Sequence, residues 1–88
     1  MSEQDRFHHI SSAVISVLPG RMTHVLALLE QMPDLEVSAH DAGKIVVVLE
    51  GNSTGALGER LTHIALLDGV ITANMVFEHI EKLEAAQT

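Results

Sequence analysis

Lys44-Ile45-Val46-Val47-Val48-Leu49-Glu50 is the stretch on which the reading of this chain turns, five consecutive aliphatic residues between charged ends. β-Branching, the preceding Asp41-Ala42-Gly43 and the following Gly51-Asn52-Ser53 favour a strand between turns over a buried helical segment. Side chains alternate along a strand, so Ile45, Val47 and Leu49 take one face while Val46 and Val48 share the other with Lys44 and Glu50. The odd face reads as core. The even face is only half apolar, and the question of function becomes what that face is for.

Upstream, Leu35, Val37 and Ala39 alternate with Glu36, Ser38 and His40, a strand that turns through Asp41-Ala42-Gly43 into the central one as a hairpin. Before it, Met22, Val25, Leu26, Leu29 and Met32 recur at spacings of three and four between the Pro19-Gly20 break and Pro33, the pattern of an amphipathic helix. The first strand is predicted from His9 to Leu18, with Ala13, Ile15 and Val17 on one face and Ser12, Val14 and Ser16 on the other. Downstream, Gly51-Asn52-Ser53-Thr54 supplies N-cap candidates for a second amphipathic helix carrying Leu57, Leu61, Ile64, Ala65 and Leu67. Asp68-Gly69 closes it, with Gly69 suited to the left-handed cap position. Val70 to Glu78 is the last strand, with Ile71, Ala73, Met75 and Phe77 facing one way and Thr72, Asn74, Val76 and Glu78 the other.

The order strand, helix, strand, strand, helix, strand repeats a βαβ unit, and Met22-Thr23-His24-Val25 is echoed by Leu61-Thr62-His63-Ile64. Right-handed crossovers joined by a hairpin predict an α+β, ferredoxin-like βαββαβ fold: an antiparallel four-stranded sheet, order 4-1-3-2, with both helices on one face. The odd positions of all four strands are expected under the helices, and the even positions form an open face. One domain is expected over residues 7–79, between a flexible segment 1–6 and a loosely ordered tail 80–88.

Composition excludes several functions. The 88 residues contain no Cys, no Trp, no Tyr and two Phe, so disulfides and thiolate metal sites are out, and small aliphatic side chains must fill the core. Twelve acids against five Lys and Arg give a net charge of −7, which repels nucleic acid and anionic membranes and suits solubility or a cationic partner. RNA binding on such a sheet needs aromatic residues on the central strands and basic charge nearby, and this chain offers neither. There is no Gly-rich phosphate loop, no Gly-x-Ser-x-Gly elbow and no closely spaced His-carboxylate motif, so an enzyme is not expected. Six histidines are present. His8 and His9 should point to opposite faces, His24 and His63 sit at equivalent solvent-side positions of the two helices, and neither a metal nor any other cofactor is expected. No charged n-region precedes an apolar run and no run approaches a membrane span, so neither an export signal nor a transmembrane segment is expected, and the cytoplasm is the expected location.

The open face therefore carries the candidate site: Val14, Val46, Val48 and Val76 at its centre, Ser12, Ser16, Thr72 and Asn74 among them, Glu50 and Glu78 at strand ends, and Glu36 beside Ser38 and His40 on the hairpin strand. A dry centre with an acidic rim suits an apolar segment bearing cationic groups, such as a cationic amphipathic helix. Two plainer readings stand beside it, that the valines are simply good strand formers or that they are buried in a homodimer.

Three segments together resemble the NapD family of chaperones for periplasmic nitrate reductase: His9-Ile10-Ser11-Ser12-Ala13-Val14-Ile15, Gly43-Lys44-Ile45-Val46-Val47-Val48-Leu49-Glu50 and Gly69-Val70-Ile71-Thr72-Ala73-Asn74-Met75-Val76-Phe77. The likeness spans roughly residues 9 to 79, and Phe77 stands where many relatives have Tyr. The resemblance implies a ferredoxin-like protein that binds the twin-arginine signal peptide of the catalytic subunit in the cytoplasm, as a helix against the sheet; a monomer is expected, though the sequence does not fix the oligomeric state. Binding would hold back export until the molybdenum cofactor is inserted. Glu50, Glu78 and Glu36 would be the candidate receivers of the arginines. A different class remains open: Leu18-Pro19-Gly20-Arg21-Met22 and Gly69-Val70 are similar to turns of ACT and Lrp-type domains that sense small molecules.

Overall fold

The computed structural model describes residues 7 to 82; the proposed N-terminal segment 1–6 and residues 83–88 of the proposed tail lie outside the described residues. Six elements follow in the expected order: β1 (Phe7–Val17), α1 (Met22–Glu30), β2 (Leu35–Asp41), β3 (Lys44–Gly51), α2 (Thr54–Ala65) and β4 (Val70–Lys82). They form one antiparallel sheet in the order β2-β3-β1-β4, which is the predicted ferredoxin-like arrangement. β4 runs four residues beyond the predicted end at Glu78, because Phe7, His8 and His9 pair with Lys82, Glu81 and Ile80.

Local chemistry accounts for each joint. Ala42 and Gly43 both have positive φ, 46° and 82°, between the paired residues Asp41 and Lys44, the two-residue hairpin turn whose twist matches that of the strands. The Ser53 hydroxyl accepts from the backbone N–H of Ala56 at 3.0 Å and caps α2. Gly69 closes the α2–β4 connection at φ 100°, where an added Cβ would lie 3.0 Å from Val25 Cγ2 and 3.1 Å from Arg21 Cβ. Two turns converge on the end of β1, since Val17 N–H donates to the Gly43 carbonyl and Leu18 N–H to the Gly69 carbonyl, both at 2.8 Å.

Ala13, Ile15 and Val17 of β1 and Ile45, Val47 and Leu49 of β3 form a single buried cluster with Val25 and Leu29 of α1 and Leu57, Leu61 and Ile64 of α2. Both helices therefore cover the odd face of the two central strands, as parity predicted. Parity fails on the two edge strands. Ser38, Ile71 and Val76 have no partner in the ladders, so each is an extra residue that reverses the alternation beyond it.

Three expectations are corrected by these bulges. Phe77, expected under the helices, pairs with Ser12 of the open face and is 59% exposed, whereas Glu78, expected on the open face, pairs with the fully buried Ser11. Ile71 is 54% exposed rather than core, and its neighbour Val70 packs against the core in its place. On β2, Ala39 pairs with Val46 of the open face while His40 pairs with Ile45 of the helix-covered face, the reverse of the expected assignment. Bulges at sheet edges also blunt the free backbone hydrogen-bonding groups there, which discourages strand-to-strand association.

Candidate functional site: the open sheet face

No element among the described residues covers the even face of the sheet, and the pairing register arranges it in rows that cross the strands. One row runs Glu36, Val48, Ser12, Phe77 from β2 to β4; the next runs Ala39, Val46, Val14, Asn74. Toward one end lie Glu50, Ile10 and His79, and toward the other Asp41, Lys44, Ser16 and Thr72. Val14, Val46 and Val48 are half-buried by their neighbours in the sheet, while Val76 at the β4 edge is 60% exposed. Nine of the ten residues proposed from sequence are thereby placed: Ser12, Val14, Ser16, Val46, Val48, Glu50, Thr72 and Asn74 share this face by register, and Val76 joins them as the bulged residue that follows Met75.

Glu78 does not belong to it. Its carboxylate accepts from the Thr54 hydroxyl at 2.8 Å and lies 3.4 Å from Nδ1 of the buried His9, which ties the start of α2 to β1 and β4 on the helix-covered side. The expectation that His8 and His9 diverge is met: His8 Nε2 is on the open side, 3.4 Å from Glu50 Oε1. Charge on the face is divided unevenly. Asp34, Glu36 and Glu50 line an open pocket of about 210 Å³ together with Leu35 and Val48, at the corner where β2 begins and β3 ends. At the opposite end Lys44 Nζ reaches Ser16 Oγ at 3.4 Å. The acids thus concentrate at one corner, with Asp41 beside Lys44 at the opposite end and Glu81 beside His79 toward the end of β4.

Sequence reasoning missed Phe77 and Asp34. The consecutive apolar pair Val76-Phe77 breaks a strict alternation and was the available signal for the first. Asp34 carried no such signal; it sits at φ 57° and its carbonyl accepts from Glu50 N–H at 3.0 Å, a placement that depends on the β2–β3 register.

Elsewhere, the strand-to-helix turn considered for small molecules is tied to the second turn by an Arg21–Asp68 ion pair, with His24 Nε2 3.6 Å from the same carboxylate. Among the described residues no group of three or more His, Asp or Glu side chains could hold a metal ion, and no helix is long and apolar enough to cross a membrane.

Comparison with known proteins converges on one family. The family model described as NapD protein matches residues 8–82. The chaperone NapD of Paracoccus pantotrophus is 40% identical over 77 residues, covering 88% of this chain and 69% of that protein. The solution structure of the E. coli Tat proofreading chaperone protein NapD superposes with a TM-score of 0.74 at 22% identity, over 92% of this chain and 83% of the other, and so shares the fold.

Proposed function

This chain belongs to the NapD family, chaperones and not enzymes, and on that premise we propose that it uses the open sheet face to bind the twin-arginine signal peptide of the periplasmic nitrate reductase catalytic subunit. Binding takes place in the cytoplasm, before export, and keeps the subunit back until its cofactor has been inserted. The observation that carries the reading is the distribution of chemistry on one uncovered face: half-buried valines on both central strands and a corner of three carboxylates. A signal peptide that begins with arginines and continues with apolar residues offers the complement to both, and as a helix it satisfies its own backbone while presenting one side to the sheet.

Ser12, Val14, Ser16, Val46, Val48, Thr72, Asn74 and Val76 make the contact surface in this reading, with Glu50 and Glu36 near the arginines. The net charge of −7 adds a long-range attraction for a cationic peptide. The test is a calorimetric titration with the twin-arginine peptide and with its Lys-Lys counterpart, accompanied by amide shift mapping. Saturable binding with shifts confined to the even positions of β1 and β3 supports the reading. Shifts confined to the helices, or no binding at all, would refute it.

A further inference from the structure

The row Glu36–Val48–Ser12–Phe77 spans all four strands with a carboxylate at one edge and an aromatic ring at the other. We infer that Phe77 is the apolar anchor of this face and sets the direction of the bound peptide, whose arginines lie at the β2 corner and whose apolar segment crosses β3 and β1 to end on Phe77. This rests on the reading of the open face as the peptide site, and adds to it a residue, a polarity and a spacing.

The bulge is the first argument. Were Val76 paired with Ser12 in an unbroken ladder, alternation would place Phe77 beneath the helices with Met75 and Ala73; with Val76 bulged, the ring turns outward opposite Ser12. Phe77 and Val76 are 59% and 60% exposed side by side on an edge strand, an arrangement that carries a solvation cost and an association hazard unless something covers it. Helix-packed apolar side chains are plentiful in this core, so nothing in the packing requires the ring to be outside.

The second argument is charge. Asp34, Glu36 and Glu50 occupy the β2–β3 corner, while Phe77 is separated from Glu36 along its row by Val48 and Ser12, neither of them ionisable. Three strand spacings of about 4.8 Å put the two ends of the row roughly 14 Å apart. A helix rises 1.5 Å per residue, so a peptide helix with its arginines over Glu36 meets Phe77 about nine or ten residues further on. A cationic start followed by an apolar stretch is the one polarity of peptide that satisfies both ends of the row.

A double-mutant cycle on the full chain tests this, with Kd measured for the wild-type twin-arginine peptide, for a peptide with both arginines replaced by Gln, and for one with the apolar residues nine and ten positions later replaced by Ala. Phe77→Ala should weaken the wild-type peptide about 30-fold, the size of effect seen for a buried aromatic anchor, with its melting temperature unchanged and Phe77→Tyr close to wild type. It should have little effect on the Ala-substituted peptide, and Glu36→Gln little effect on the Gln-substituted one. Coupling of Phe77 to the arginines instead would reverse the peptide and overturn the inference. So would a silent Phe77→Ala in a protein whose binding is abolished by Val48→Asp. If Val48→Asp itself leaves binding intact, the open-face reading has failed, a result separate from these two.

Discussion

Phe77 stands directly across the β1–β4 ladder from Ser12, and its neighbour Val76 has no partner there. One unpaired residue thus decides that an aromatic ring faces outward and that the next carboxylate, Glu78, faces in. The sides of the sheet acquire different tasks at that point.

Inward, Glu78 holds Thr54 and lies beside His9. Thr54→Ala or Glu78→Gln should each lower stability by up to about 1 kcal/mol, the typical net contribution of a hydrogen bond, in urea denaturation followed by circular dichroism. Peptide affinity should not change, because the cluster lies on the helix-covered side. Loss of affinity with intact stability would place Glu78 at the peptide after all.

Adjacent residues of β3 should respond in opposite ways. Val47 is fully buried between Ala13 and Val37 in the ladder, so Val47→Asp buries an unpaired carboxylate and should cost several kcal/mol or prevent folding. Val48→Asp, one residue on, should leave the thermal midpoint nearly unchanged and remove peptide binding in calorimetry. Equal loss of stability by both variants would show that the even face is core.

Neutralising the acidic corner should weaken binding in a salt-dependent way. Glu36→Gln and Glu50→Gln should each reduce affinity about two- to five-fold at low ionic strength, as expected of exposed ion pairs, and the difference from wild type should shrink as salt shortens the Debye length from about 10 Å at 0.1 M to about 3 Å at 1 M. Association rates in stopped-flow fluorescence should account for most of the change. Glu3→Gln and Glu84→Gln serve as controls for net charge; an equal effect from all four would deny the corner any local role.

The hairpin can be improved. Ala42 holds a φ of 46° that a side chain with a plain Cβ disfavours, and Asn followed by Gly is the preferred pair for this turn. Ala42→Asn should raise stability by about 0.5–1 kcal/mol, read as a shift of the urea midpoint without a change in slope. A lower midpoint would mean that the turn draws support from elsewhere.

The central strands were legible in the sequence because each is flanked on both sides, so that a slip by one residue would carry a whole apolar set out of the core. Ala13, Ile15, Ile45, Val47 and Leu49 are accordingly buried as parity predicted. Edge strands lack that constraint. Ser38, Ile71 and Val76 can each be inserted at the margin without disturbing β1 or β3, and an alternation rule carried through Ser38 and Val76 assigns the side chains beyond them to the wrong side, while at Ile71 it misplaces the bulged residue itself. The valine centre of the candidate site was therefore readable and its limits were not: Glu78 was included because it is even-numbered, and Phe77 was excluded because it is apolar and odd-numbered.

β1 pairs with β3 along His9 to Ser16 and with β4 along its whole length, so this strand waits for partners that begin at Lys44 and at Val70. Contacts of such long sequence separation form slowly, because the intervening chain must be closed into a loop before they contribute. No early segment of this chain has a finished sheet to fold onto. The sheet is finished only by β4, and until that strand is in place β1 is open on the side away from β3 and offers a valine- and isoleucine-bearing edge that competes for other edges.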